Sequence, residues 1–222
     1  MLKSVLVVFA VVVSLCDAFS REKRGDVDSS WFANNFKLCL HWSGTFDWFQ
    51  CNGGGTTPQD LCANVNQMTP FYHDWTDWRI GGCKMQWGII SSATNPPDWL
   101  SKVKMCYQWY AESDATQCGG DAGKTYCADV NKYTTEYFDD TGNRDGGCMM
   151  RWMIQVPDSS PTWMKGVQMC FNWEAEGDAG QCGGKAPFSQ CVKANSWTEY
   201  YRDKTDDRRG GCKMSWGLKT SN

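Results

Sequence analysis

Three stretches of the chain repeat one alternation of apolar and polar positions. In 81–89, 146–154 and 210–218, every second residue belongs to a set of cysteine, methionine, tryptophan and an aliphatic residue. The sets are Cys83, Met85, Trp87 and Ile89; Cys148, Met150, Trp152 and Ile154; Cys212, Met214, Trp216 and Leu218. Successive side chains of a strand point to opposite faces, so each set lines one side of an extended segment. The other side carries Lys84, Gln86 and Gly88, then Met149, Arg151 and Met153, then Lys213, Ser215 and Gly217. Each stretch reads as a strand buried on one face and largely wet on the other.

A second alternating stretch precedes each of these. Phe36, Leu38, Leu40 and Trp42 alternate with Lys37, Cys39 and His41, and the same scheme gives Val103, Met105, Tyr107, Trp109 and then Val167, Met169, Phe171, Trp173. This predicts another strand, with its cysteine on the side away from the apolar set. Acidic and small residues follow, as in 111–117, and then Gly53 to Gly55, Gly119-Gly120 and Gly183-Gly184, which predict loops with tight, positive-φ turns. Further on the period changes. Val65, Met68, Tyr72; Val130, Tyr133, Tyr137; and Ala194, Trp197, Tyr201 fall at i, i+3, i+7, which predicts a helix of about three turns, shortened by Pro70 in the first instance. A polar loop of pattern Asp-x-Thr-x-x-Arg-x-Gly-Gly-Cys then leads into the final strand.

The cysteines follow the same repetition. Cys39, Cys51, Cys62 and Cys83 are separated by 12, 11 and 21 residues; Cys106, Cys118, Cys127 and Cys148 by 12, 9 and 21; Cys170, Cys182, Cys191 and Cys212 by 12, 9 and 21. These twelve are an even number, and modules of about 60 residues are small enough to need cross-links. Two disulfides per module are expected, with three pairings open in each. Zinc is disfavoured because no cysteine pair has the close spacing of zinc knuckles. The expected fold class is therefore small disulfide-rich α+β modules in three tandem copies (31–90, 98–155 and 162–222). Each has two main antiparallel strands, a short helix and Gly-rich loops. The proline-containing connections 91–97 and 156–161 act as semi-rigid spacers. Trp31, Trp99 and Trp163 follow the module boundaries, and each is expected to close its own module. A closed threefold body such as a trefoil requires more strands per copy than the two that are legible.

Residues 1–18 combine an early lysine, the apolar run Val5 to Val13 and small residues at the end, the pattern of a secretory signal peptide. The apolar run is too short for a helical membrane span. Arg21-Glu22-Lys23-Arg24 ends a short segment 19–24 and matches the basic recognition pattern of furin-like processing proteases. The reading is of a secreted, extracellular chain. Removing four basic residues (Lys3, Arg21, Lys23, Arg24) and two acidic ones (Asp17, Glu22) from 22 and 25 leaves 18 and 23, a net charge near −5. No basic surface for nucleic acid follows from that balance.

Several polar residues recur at equivalent places in all three copies and are the candidate ligand-binding set. They are Asp47, Asp114, Asp178; Gln50, Gln117, Gln181; Asn66, Asn131, Asn195; Asp74, Asp139, Asp203; and Arg79, Arg144, Arg208, with Thr76, Thr141 and Thr205 alongside. Turn-forming and capping roles are one explanation. The other is one site per module in which amides, carboxylates and Arg meet a Trp or Tyr face, a combination suited to the hydroxyls and C–H faces of a sugar ring. Both histidines, His41 and His73, lie in the first copy, and the chain has neither a Gly-x-Ser-x-Gly elbow nor a His-Glu-x-x-His helix. Three small copies also offer no deep cleft for a carboxylate pair, and no loop is as dense in ligands as an EF-hand. The expectation is a non-catalytic, multivalent, lectin-like binding protein with no metal and no cofactor. Its partner is a glycan or a component of an extracellular matrix. The alternatives are a structural protein of a shell, cuticle, egg coat or adhesive, and a secreted toxin or protease inhibitor presenting the loop Cys51 to Cys62.

Overall fold

The computed structural model describes residues 27–45, 51–52, 56–75, 82–111, 118, 123–140, 147–175, 177, 182, 187–204 and 211–220. The signal segment, the processing site Arg21, Lys23 and Arg24, and the expected Gly-Gly turns lie outside these residues. The described residues contain one α-helix, α1 (Ser29–Asn35), and its N-terminus is capped by Asp28, whose Oδ1 accepts from the Trp31 backbone N–H at 2.8 Å. Short 3-10 turns, Asp98–Lys102 and Thr162–Gly166, follow the two proline-containing connections.

The rest of the regular structure is β. The strands are β1 (Phe36–Gly44), β2 (Gln59–Asn64), β3 (Tyr72–Trp75) and β4 (Gly82–Ser91). They continue with β5 (Lys104–Ala111), β6 (Thr125–Asp129), β7 (Tyr137–Asp140) and β8 (Gly147–Gln155). The last four are β9 (Gln168–Ala175), β10 (Phe188–Lys193), β11 (Tyr201–Lys204) and β12 (Gly211–Lys219). They form three four-stranded antiparallel sheets, ordered β2-β1-β4-β7, β6-β5-β8-β11 and β10-β9-β12-β3. The fourth strand of each sheet comes from another part of the chain: β7 pairs with β4, β11 with β8, and β3 reaches back to β12. This exchange is cyclic, so the three sheets are linked in a ring.

The helices expected after the third cysteines do not form. Cys62, Cys127 and Cys191 lie within strands, each directly opposite its disulfide partner, Cys39, Cys106 and Cys170, with Cα atoms 4.1 Å apart. Asn66, Asn131 and Asn195 then adopt φ of 69°, 65° and 64°, a left-handed conformation that interrupts any helix and that Asn tolerates better than most side chains. The i, i+3, i+7 apolar spacing thus runs across a turn, from the end of one strand (Val65) to the start of another (Tyr72). The second set of disulfides, Cys51–Cys83, Cys118–Cys148 and Cys182–Cys212, holds the start of each last strand. Closing loops of 21 to 32 residues contributes about 3–4 kcal/mol per bridge in the chain-entropy model.

The alternation along β1, β4 and their counterparts places its apolar sets inside. Trp87, Trp152 and Trp216, one from each sheet, meet edge to face with ring centroids 5.5, 5.6 and 5.9 Å apart, and all three are fully buried. Edge-to-face contact directs the positive ring edge at a negative face, the arrangement aromatic rings prefer. The backbone N–H of each of these tryptophans donates to a buried threonine across the exchange: Trp87 to Thr134 Oγ1, Trp152 to Thr198 Oγ1 and Trp216 to Thr69 Oγ1, each at 3.0 Å. Gly88 and Gly217 let this crossing segment approach, since a Cβ at either would meet a backbone oxygen, Lys132 O at 2.8 Å or Gln67 O at 2.5 Å. Trp31 packs on Phe36 of its own segment at 5.5 Å, as expected, whereas Trp163 packs differently. The Trp163 indole donates to Val27 O at 2.9 Å, and its ring contacts Phe32 and Trp99, so it joins distant parts of the chain.

Candidate functional site

The recurring polar residues that the structure describes are drawn into the joints between sheets. Asn131 Oδ1 accepts from Ser91 N–H at 2.7 Å, Asn195 Oδ1 from Val156 N–H at 2.8 Å and Asn66 Oδ1 from Thr220 N–H at 2.9 Å. In each case the acceptor crosses to the end of the neighbouring sheet's last strand. Asp74, Asp139 and Asp203 stand in register opposite Cys212, Cys83 and Cys148 of those same strands. Asp74 and Asp139 are buried at 1% exposure. The other expected site residues, Asp47, Gln50, Arg79, Asp114, Gln117, Arg144, Asp178, Gln181 and Arg208, lie outside the described residues, as do Thr76, Thr141 and Thr205.

Polar groups converge instead on the outer faces of the sheets. Strand register puts three residues in a row across each sheet. Asp60, His41 and Gln86 form one row; Thr125, Gln108 and Arg151 the second; Ser189, Asn172 and Ser215 the third. They alternate with core residues such as Leu40 and Trp42, so they point away from the tryptophan centre. The segment that crosses from elsewhere in the chain closes the far end of each row.

Chemistry differs from row to row. In the first, Asp60 Oδ1 lies 2.7 Å from His41 Nδ1 and accepts from Tyr133 O–H at 2.9 Å, while Gln86 Nε2 donates to Thr134 O at 2.7 Å. Burial, reinforced by the Asp60 hydrogen bond, pushes the Tyr133 phenol well above the usual tyrosine range. In the third, Ser189 O–H donates to Asn172 Oδ1 at 2.6 Å, and Ser215 is buried. Exposed Phe71 lies on the segment that crosses to this third sheet.

The second row holds a fixed cation. Gln108 Oε1 accepts from Arg151 Nε at 2.8 Å and from Arg151 Nη2, and Gln108 Nε2 donates to Gly123 O at 3.2 Å. The guanidinium lies over the rings of Trp197 and Tyr200, 4.9 and 4.5 Å from their centroids, in cation–π geometry. Tyr110 packs against Tyr200 at 5.6 Å and is itself exposed. Burial holds the Tyr200 phenol above its ordinary value, with Arg151 pulling the other way. The result is a positive, aromatic, amide-bearing patch accessible from solvent.

Sequence reasoning had placed Gln86, Arg151 and Ser215 on the wet side of their strands but had not singled them out. Difference between the three sheets at one register position was the signal that marked them. Among the described residues, no group of three or more His, Cys, Asp or Glu is arranged to hold a metal ion. None of the helices among these residues is long and apolar enough to cross a membrane.

Sheet content, six disulfides and shallow outer polar rows together define a disulfide-rich, mostly β protein with antiparallel sheets. No family model matches the chain, and no solved structure matches it. The chain is similar to the perivitellin-2 67 kDa subunit of Pomacea canaliculata, 35% identical over 132 residues, which cover 59% of this chain and 23% of that protein. The perivitellin-2 67 kDa subunit of Pomacea maculata shows the same identity and coverage. The matched region thus spans about a quarter of the length of these curated relatives.

Proposed function

We propose that the chain is a secreted, non-catalytic, multivalent binding protein of three tandem modules, with glycan as its ligand. The supporting observation is the set of outer rows: in the first and second, carboxylate, amide or guanidinium groups lie beside Tyr or Trp, and exposed Phe71 lies on the segment that crosses to the third. Sugar rings call for that pairing of hydrogen-bonding groups with a flat apolar surface. Cyclic exchange of β3, β7 and β11 makes the three faces parts of one body, so sites on them act at fixed separations, and fixed separation is what gives avidity when a ligand spans it. Six disulfides suit an oxidising, extracellular setting. A glycan array together with chitin and cellulose pull-down on the mature, oxidised chain tests the reading. Saturable binding to at least one glycan is expected, and a blank array with empty pull-downs would sink it.

A second reading is favoured by the relatives. Both are named as subunits of a perivitellin, which is compatible with a role for this chain in an extracellular assembly of the egg. In that reading the outer faces contact other protein chains. Light scattering across concentration separates the two: reversible growth of oligomers without glycan supports assembly, and a monodisperse monomer supports glycan recognition.

A further inference from the structure

The three outer rows occupy the same register but carry different charge. Arg151 faces Gln108 where the other sheets have Gln86 facing His41 and Ser215 facing Asn172. A guanidinium has five N–H donors. Gln108 Oε1 takes one from Nε and one from Nη2, and the bond from Gln108 Nε2 to Gly123 O fixes the amide that does so. Trp197 and Tyr200 hold the guanidinium plane from the side. Among the described residues no carboxylate pairs with Arg151. The Nη1 end of a cation that is already oriented is therefore left for an acceptor from outside.

Resting on the glycan reading above, we propose that this row is a carboxylate-selective subsite that takes a uronic or sialic acid residue. The planar guanidinium end matches a carboxylate with two parallel hydrogen bonds. Exposed Tyr110, packed on Tyr200, supplies the flat apolar face beside it for the C–H side of the sugar ring. Preorganisation by Gln108 and the two rings lowers the ordering cost that a free arginine side chain would carry into binding. The rows of Gln86 and Ser215 lack a cation at this position, so the selectivity belongs to one face of the three.

The experiment is calorimetric titration of the mature, oxidised chain with 3′-sialyllactose, a hyaluronan tetrasaccharide and uncharged lactose. Wild type should bind at least one of the two carboxylated probes about ten-fold or more tightly than lactose. Arg151→Gln should lose that preference, and Arg151→Lys, which keeps the charge but not the paired donors, should recover only part of it. Lys102→Ala, at an exposed position on the 3-10 turn Asp98–Lys102 outside the outer rows, should leave it unchanged. Near-ultraviolet circular dichroism of the tryptophans reports whether each variant is folded, and Tyr110→Ala compared with Tyr110→Phe, both of which lack the hydroxyl that accepts from Gln108 Nε2 at 3.4 Å, isolates the contribution of the ring as a second loss of affinity. Carboxylated probes that bind Arg151→Gln as they bind wild type, or that bind no better than lactose, overturn the subsite while leaving the general glycan reading in place. Failure of both carboxylated probes overturns the subsite as well, and the array then decides the wider reading separately.

Discussion

Replacing Thr134 by valine removes one atom group from the joint between two sheets and keeps the shape. Thr134 Oγ1 lies 3.0 Å from the Trp87 backbone nitrogen, and Thr134 is 1% exposed. Valine cannot accept a hydrogen bond, so the variant leaves a buried N–H beside the tryptophan centre without its partner. An unsatisfied buried donor costs about 1–3 kcal/mol. For a chain of this size each kcal/mol lowers Tm by about 2–4 °C, so a cost of about 2 kcal/mol predicts a fall of roughly 4–8 °C. Thr198 and Thr69 make the same bond to Trp152 and Trp216, so Thr198→Val and Thr69→Val should give falls of similar size. Thr135 is exposed, and Thr135→Val is the control, expected within about 0.5 kcal/mol of wild type. Differential scanning calorimetry of the oxidised protein reads all four. If the three buried variants match the control, the crossing threonines do not hold the sheets together and the reasoning fails.

Close approach of the crossing segment predicts that Gly217→Ala and Gly88→Ala destabilise by about 1–3 kcal/mol by overpacking. Gly217 should be the more sensitive, because its Cβ would meet Gln67 O at 2.5 Å against 2.8 Å from Gly88 to Lys132 O, and urea unfolding midpoints give the ranking. Alkaline pH should destabilise the fold through the Tyr107 and Tyr133 phenols, both held above their ordinary value of 10.0, chiefly by burial. The unfolded chain ionises these phenols near 10.0 while the folded chain keeps them protonated, so their contribution is complete below that pH and is lost as pH rises through and beyond it. Absorbance at 295 nm should show two tyrosines that ionise only together with loss of the near-ultraviolet signal; their ionisation within an intact fold would contradict the burial.

Period-two alternation made β1, β4 and their counterparts legible, together with the core they bury, because each strand is wet on one face. Cysteine spacing announced the number of bridges. The strands β2, β6 and β10 were not legible, because Cys62, Cys127 and Cys191 open stretches whose apolar residues continue across an asparagine turn and imitate a helical stripe. Nor does local sequence carry the exchange of β3, β7 and β11, since pairing with a distant strand is decided by tertiary contacts. Six of the recurring residues, Asn66, Asn131, Asn195, Asp74, Asp139 and Asp203, fall among the described residues. Asn66, Asn131 and Asn195 recur because each joint needs a left-handed residue with an acceptor side chain, a constraint of the fold. Arg151 and Tyr110 carry no such constraint, since Gln86 and Ser43 stand at the matching register positions of the first sheet.

The most direct test of recognition through the outer rows is nuclear magnetic resonance of the 15N-labelled mature chain, titrated with the glycan that binds most tightly on the array. Shifts should concentrate on outer-row signals, the Arg151 Nε–Hε and Trp197 indole and the amides of Gln108, Tyr110, Tyr200, His41, Gln86 and Asn172, while those of Trp87, Trp152 and Trp216 stay still. Shifts centred on the Asn66, Asn131 and Asn195 turns, or none with any array ligand, would contradict it.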